Sequence, residues 1–426
     1  MIVFPGVFIL LLAVGVPIAF SLGGAAFVYL LLKGISPTLL IQTTFAGMAS
    51  FPLLAIPLFL LAGNLMNEGG ITRDLVAFAR VSLGHLRGGL GVATIAASAV
   101  FAGISGSAVA TAAAIGAVLL PAMHDHGYDD ELSASVTATA ACMGPLIPPS
   151  IPFIIYGVIA NVSIGALFLG GVIPGLLLGI SLTIYMVFTA GRRDYPTDPF
   201  PGAAAVFRAA LRALPALLMP ILVIGGIMGG VFTPTEAAGV AVLYAFVAGF
   251  LFYRRLRVER LFGIFLKSGL EAAVVMLMLG LSEAFAWVVA VEQVPARIME
   301  FLSGFSSSPY VFLLLVNLVL LLVGIPLETA PALTIMTPIL APLAQRMGID
   351  PVHFGVVVCF NLVLGLITPP VGAVLFSVCG MTGMSLERLS RGILAPFAIA
   401  VGVLLVVTFL PFLSTLLPAW FLPGGR

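Results

Sequence analysis

Five hydroxyl side chains, Ser105, Ser107, Ser150, Thr329 and Thr368, stand beside clustered glycines and prolines inside otherwise apolar stretches. Pro148-Pro149 and Pro369-Pro370 interrupt any helix that contains them, since a proline lacks a donor and clashes with the carbonyl one turn back. Inside a bilayer each freed backbone group is costly unless something satisfies it. A cation can take the freed carbonyl oxygens, and a helix N-terminus can hold an anion through its N–H groups. Such breaks can bind an ion together with a carboxylate, without buried formal charges.

Glu328 is a carboxylate in the middle of an apolar stretch, and acids at such positions are functional by default. Acidic residues are otherwise scarce in the spans, which fits sodium held by carbonyls and hydroxyls better than a proton relay of carboxylates. Serine and threonine in membrane helices commonly bond back to their own backbone. The clustering at paired breaks, rather than any single hydroxyl, therefore carries the argument. Glu236, behind Thr233 and Thr235, begins a helix and reads as a structural cap. Glu271, Glu283 and Glu292 fall in or near one crossing, and spacing alone does not assign their partners. His124 and His126 share a turn with Asp125, Asp129 and Asp130, read as a solvated loop rather than a metal site; His85 and His353 are isolated. No Ser/His/Asp, paired-Asp or metal-ligand spacing occurs within the spans, so an intramembrane enzyme is set aside, and no organic cofactor is expected.

The elements that must position these groups are membrane helices. The chain is 61% hydrophobic and 8% charged, against roughly 25% charged in soluble proteins. Its apolar runs reach or exceed the about 20 residues that cross a bilayer, and no period-2 alternation suggests a barrel. Nine crossings are expected, over 2–32, 38–66, 131–160, 164–190, 214–232, 236–253, 268–292, 352–383 and 392–417. The first reads as an uncleaved helix, because no basic segment precedes Val3–Leu12. Two further stretches, 88–122 and 308–345, are interrupted near their middles and read as re-entrant hairpins. That choice puts the Arg/Lys groups of 73–87, 192–212, 254–267 and Arg388/Arg391 on one side, cytoplasmic by the positive-inside rule. The opposite loops around 161–163, 233–235 and 293–309 then carry Arg297 alone. The net charge of +1 gives no reason to expect nucleic acid, and Cys142, Cys359 and Cys379 read as packing residues.

An offset of 221 residues aligns 103–149 with 324–370 without a gap. The identities include Gly103/Gly324, Pro121/Pro342, Gly144/Gly365, Pro148/Pro369 and Pro149/Pro370, and most are Gly or Pro, which set backbone shape. Five crossings separate the copies, an odd number, so they lie upside down relative to each other. Inverted repeats with interrupted helices at matching places point to a secondary transporter with a midplane site. The fold expected is an all-α polytopic membrane protein of two inverted repeats, each with a re-entrant hairpin and a broken helix. The first repeat is 1–190 (scaffold 1–87, hairpin and broken helix 88–160, helix 164–190). A connector spans 191–213, and the second repeat is 214–426 (scaffold 214–307, hairpin and broken helix 308–383, last helix 392–417). Amphipathic segments 71–84 and 294–303 would lie in the interfaces as levers.

The segments Phe51–Phe59, Gly103–Ala108, Gly144–Ser150, Phe232–Ala238 and Thr368–Gly372 closely resemble the large membrane subunit of tripartite ATP-independent periplasmic (TRAP) transporters, and the resemblance runs from end to end. It implies a sodium-driven elevator of the ion-transporter superfamily in a bacterial inner membrane, importing a carboxylate such as a C4-dicarboxylate or a sialic acid. It implies two partners, a small four-helix membrane subunit and a periplasmic substrate-binding protein. Carried over by position, Ser105, Ser150 and Glu328 are the substrate candidates. Gly103, Ser105, Gly144, Pro145 and Pro148 would surround one sodium ion; Gly324, Thr329, Gly365 and Thr368 would surround another. Two departures stand out: Glu328 where the family more often has Asp, and Thr111 where an acid often follows the Gly-Ser-Ala run. The rival reading is a sodium–carboxylate symporter that works without a binding protein.

Overall fold

The computed structural model describes residues 3–193, 195–303 and 308–422, and these form helices and connections with no strand among them. In chain order come α1 (Val3–Ala13) and α2 (Ile18–Leu32), then α3 (Thr38–Met48) and α4 (Ala55–Glu68) joined by a 3-10 turn at Phe51–Leu54. The amphipathic α5 (Ile71–Leu83) leads to α6 (Gly89–Ser105) and α7 (Ala108–Asp125), then α8 (Asp130–Ala141), α9 (Ile151–Ala160) and α10 (Ile164–Arg193). Beyond the connector are α11 (Ala203–Met228), α12 (Pro234–Val247) with a π-turn at Ala248–Phe252, α13 (Val258–Val291) and α14 (Val294–Ser303). The chain continues with α15 (Pro309–Gly324), α16 (Thr329–Arg346), α17 (Pro351–Gly365), α18 (Ala373–Thr382), α19 (Leu386–Gly392), α20 (Leu394–Phe409) and α21 (Phe412–Phe421).

Six described helices are long and apolar enough to cross a membrane, and α19 with α20, bent by 54°, makes a seventh. α7 is one of these six although it pairs with the shorter α6, and the shorter apolar helices α9, α15, α17 and α18 flank the tips and the Pro-Pro breaks. The expected hairpin at 88–122 is α6–α7, and both its ends sit at the C-terminal end of α10. A Cβ on Gly88 would lie 2.8 Å from that of Ala190, while Asp129 bonds Arg193 and Tyr195. The hairpin at 308–345 is α15–α16, and its ends lie near the C-terminal end of α20: the Tyr310 and Phe409 rings are 6.2 Å apart, and His353, in the first turn of α17 after the hairpin, lies 3.2 Å from Thr408 O.

Two expected crossings are corrected. Segment 2–32 is not one span but two antiparallel helices: the Phe4 ring lies 5.9 Å from Tyr29, and a Cβ on Gly24 would lie 2.9 Å from Leu11. Gly15, at φ +88°, and Pro17, which has no N–H, turn the chain back. With 11 residues, α1 is only roughly 16 Å long, about half the hydrocarbon thickness. Segment 392–417 is likewise divided, because Pro411 ends α20 and starts α21, which packs along α10.

Of the two amphipathic segments, α5 buries Ile71, Leu75, Val76 and Ala79 and turns Asp74 to Arg255, 3.2 Å away. The segment 38–66 is divided around Ser50, and both parts pack on α13, where Gly47 meets Gly280 and Asn64 donates to Glu271 at 2.9 Å. The expected cap is present: Thr233 N–H donates to Glu236 at 2.8 Å, and Glu236 N–H to the Thr233 hydroxyl at 3.3 Å. These caps and breaks, not helix propensity, decide where the backbone groups of the site end up.

Candidate functional site

The site grows from the two hairpin tips. In the first, α6 ends at Gly106, whose φ of +61° reverses the chain; a Cβ there would lie 2.7 Å from the Pro149 carbonyl oxygen, so the tip rests directly on the Pro-Pro break. Ser107 caps α7, accepting from Ala110 N–H. Ser105 Oγ lies 2.8 Å from Thr111 Oγ1, and the Thr111 hydroxyl donates to Ser107 O at 2.8 Å. A Cβ on Gly144 would sit 2.7 Å from Ser107 O and 2.8 Å from Thr111 Oγ1, and one on Gly103 3.5 Å from Pro148 O. Gly103, Ser105, Gly144 and Pro148 are therefore brought together. Pro145 shares the break, and its carbonyl accepts the Ser150 hydroxyl, which also caps α9 by accepting from Phe153 N–H. Residues 142–150 are wholly buried.

The second tip mirrors the first in outline. Gly324 abuts Gly365 so closely that a Cβ on Gly365 would lie 2.5 Å from Gly324 O. Thr329 Oγ1 donates to Leu362 O at 3.4 Å, while Thr368 Oγ1, in the break beyond α17, donates back to Leu364 O at 2.8 Å. Beyond the break, Val374 N–H reaches back to Leu366 O at 3.0 Å. Gly324, Thr329 and Gly365 thus meet, with Thr368 one turn along. Glu328 stands at the cap position of α16, exposed, and its carboxylate makes no hydrogen bond or ion pair among the described residues. Ser105 and Ser150 belong to the first tip and break, Glu328 to the second, and no hydrogen bond joins the two groups.

The tips differ in exposure. Ser105, Gly106 and the whole first break are buried; Pro326, Glu328, Pro370 and Val371 are exposed. The oxygens at the first tip are hydroxyls and carbonyls without formal charge, donors of the kind that hard cations take. Among the described residues no group of three His, Cys, Asp or Glu could hold a metal ion. The two halves touch where their equivalent positions meet: Cys142 Sγ lies 3.8 Å from Val363 O, residues 221 apart in the chain.

Sequence reasoning missed Thr111 as a partner of Ser105, and it missed a buried amide ladder. Asn361 donates to Asn317 O at 2.9 Å and to its Oδ1 at 2.7 Å, and Asn317 donates to Thr408 at 3.1 Å, tying α15, α17 and α20. Two asparagines in apolar runs were the available signal, since buried amides need partners.

The family model described as "Tripartite ATP-independent periplasmic transporter, DctM component" matches residues 6–413. The chain belongs to the DctM family. Among curated relatives, the Vibrio cholerae "Sialic acid TRAP transporter large permease protein SiaM" is 40% identical over 417 residues, 98% of each chain. The Pseudomonas aeruginosa "C4-dicarboxylate TRAP transporter large permease protein DctM" is 40% identical over 87% of each chain. The Oleidesulfovibrio alaskensis "Isethionate TRAP transporter permease protein DctMQ" is 40% identical over 95% of this chain but only 64% of that one. Among solved structures, the Alcanivorax borkumensis YdaH transporter has a TM-score of 0.61 at 15% identity, covering 90% of this chain and 87% of that one. That likeness is of fold alone. As a DctM protein, the chain is a transport protein of a polytopic membrane family.

Proposed function

We propose that this chain is the large membrane subunit of a sodium-driven importer in a bacterial inner membrane, taking a carboxylate solute from a periplasmic binding protein. The observation that carries the reading is the repeated contact of tip and break, Gly106 on Pro149 and Gly324 on Gly365. The first contact gathers uncharged oxygens beside the N-termini of α7 and α9; the second joins the C-terminal ends of α15 and α17 next to Thr329, which opens α16, and such ends suit a cation and a carboxylate together. Named substrates of the relatives are sialic acid, C4-dicarboxylate and isethionate. A sialic acid or C4-dicarboxylate type of solute is the reading for this chain. Ser105, Ser150 and Glu328 would contact the solute; the two glycine-rich contacts would hold at least two sodium ions.

The two halves are read as inverted repeats. Support comes from the 221-residue alignment, from hairpins that enter from opposite ends of the bundle, and from crosswise packing of α7 with α18 and α9 with α16. In the elevator cycle, the hairpins and broken helices move together against a scaffold that includes α3, α4 and α11–α13, with α5 and α14 as levers. We include α10 and α20 in the moving body, because a Cβ on Gly170 would lie 3.0 Å from Val356 and one on Gly175 2.6 Å from Ile147, and Thr408 of α20 accepts from Asn317 of α15 at 3.1 Å. The longer DctMQ relative fits a small membrane subunit that other chains carry fused. A stand-alone symporter is not favoured, since the relatives are named as TRAP permeases.

The test is uptake by proteoliposomes that hold this chain and its small subunit, with candidate binding proteins added outside. Uptake should need both an inward sodium gradient and one binding protein. Uptake indifferent to both would sink the reading.

A further inference from the structure

The Arg-rich turn between α12 and α13 opens a groove apart from the two hairpin tips and their breaks. The π-turn at Ala248–Phe252 prolongs α12, and Arg254 follows at φ +50°, so the chain reverses sharply before α13. A surface cavity of about 600 Å³ lies here, lined by Phe250, Leu256, Arg257, Val258, Glu259 and Arg260. Two arginines of the turn are tied inward: Arg255 to Asp74 at 3.2 Å and to Gly70 O at 3.0 Å, and Arg260 to Glu68 at 3.3 Å. Arg257 lines the cavity and Arg254 stands in the turn just before it; both are exposed and make no ion pair among the described residues. The inner pairs fix the turn, and two guanidiniums are left for an anion from outside; Glu259 is the cavity's one carboxylate.

From this mouth, exposed apolar side chains run inward at four-residue spacing. On α12 and its π-turn they are Leu243, Val247 and Leu251; on α13 they are Phe262, Leu266, Leu270 and Val274. Phe246 and Phe265, with ring centroids 6.1 Å apart, bridge the two helices below the turn. We propose that this groove binds an anionic phospholipid, its phosphodiester on Arg254 and Arg257 and its acyl chains along these rows. Basic pockets between membrane helices take such headgroups, and each guanidinium presents a fork of donors that matches phosphate oxygens. From Phe262 to Val274 the rise is about 18 Å, close to the roughly 15 Å of one leaflet. That continuity of charge with an acyl-length track favours a lipid over an acidic protein segment. Which leaflet supplies it rests on the orientation argued above; the binding does not.

The experiment is native mass spectrometry of the detergent-purified protein. It is titrated separately with dioleoyl phosphatidylglycerol, dioleoyl phosphatidylcholine and inorganic phosphate. The phosphatidylglycerol complex should form at lower concentration than the phosphatidylcholine one and resist competition by phosphate. Arg254→Gln and Arg257→Gln should each weaken it roughly fivefold, Phe262→Ser should weaken it without changing charge, and Arg208→Gln should leave it unchanged. All three groove positions are exposed, so the variants keep their fold, as a thermal melt would verify. Equal binding of the two lipids, or a double arginine variant that binds like wild type, overturns the proposal. Competition by phosphate at matching concentration would assign the arginines to a soluble anion instead. Loss of the lipid when the small subunit co-purifies would mean that protein fills the groove.

Discussion

Glu328 and Thr111 occupy corresponding neighbourhoods of the two tips yet call for opposite treatment. Glu328 is exposed and bonded to nothing, so Glu328→Ala leaves no buried orphan and should change stability by less than about 0.5 kcal/mol. If it contacts the solute, uptake by that variant should vanish while the melting temperature holds; normal uptake would return it to an ordinary surface role. Thr111 is buried, and its hydroxyl bonds both Ser105 and the Ser107 carbonyl at 2.8 Å. Thr111→Val keeps the shape but strips the partner that orients Ser105, at a stability cost of about 1 kcal/mol. We expect it to raise the sodium concentration needed for half-maximal uptake, with Thr111→Ser restoring it. An unchanged sodium dependence would leave Thr111 a packing residue. An acid in an apolar run made Glu328 conspicuous in the sequence, and the structure places it, exposed, at the cap of α16. The Thr111–Ser105 pair was not legible there, because the contact exists only after Gly106 reverses the chain, and no periodicity rule spans such a reversal.

Glycine and proline punctuation made the elements readable where it fell at hairpin tips and Pro-Pro breaks, and these match the structure closely. It was overlooked where hydropathy ran on unbroken: Gly15–Pro17 and Pro411 lie inside runs that looked like single spans. The tightest of the readable junctions is Gly324 against Gly365. Gly365→Ala places a methyl 2.5 Å from a backbone oxygen, so tip and break must separate. The variant should melt earlier and transport poorly, and Gly365→Ala behaving like wild type would mean the second tip is already loose. A polar junction fixes the folded-back α1–α2 pair to the C-terminal end of α13. Tyr29 donates to Glu292 at 2.7 Å, and Lys33 lies 3.5 Å from it. The phenol hydrogen bond, with help from the ammonium, holds the Glu292 carboxyl below the usual carboxylate range. A depressed acid stabilises the fold above its unfolded pKa and loses that contribution as pH falls through the folded value. Melting temperature should therefore fall on acidification below about pH 4.3, and fall less steeply in Glu292→Gln. Identical acid profiles for the two proteins would remove Glu292 from this role.

For the whole molecule, composition alone bounded the class, and the charge pattern proposed an orientation, but how the first helices lie could not follow from either. Folding α1 back on α2 keeps the loop after α2 at the same end as Glu292, since Lys33 reaches that carboxylate. The Arg-rich connections gather at the other end, where Arg193 bonds Asp129 and Arg388 bonds Glu131 at 2.6 Å. Positive-inside placement then sets Lys33 and Ser163 outside and Arg87 and Asp125 inside. All four are exposed, and the native Cys142 and Cys359 are buried with Cys379 half-buried, so background labelling should be low. In intact cells, a membrane-impermeant maleimide should label Lys33→Cys and Ser163→Cys, and should reach Arg87→Cys and Asp125→Cys only after permeabilisation. Val14→Cys, at the fold of the α1–α2 pair, should label poorly from either side, because the tip of a returning hairpin stops within the bilayer. Strong labelling of Val14→Cys from one face would restore a first helix that crosses completely. Labelling of Asp125→Cys from outside would invert the orientation, and with it the direction in which the hairpins present their solute.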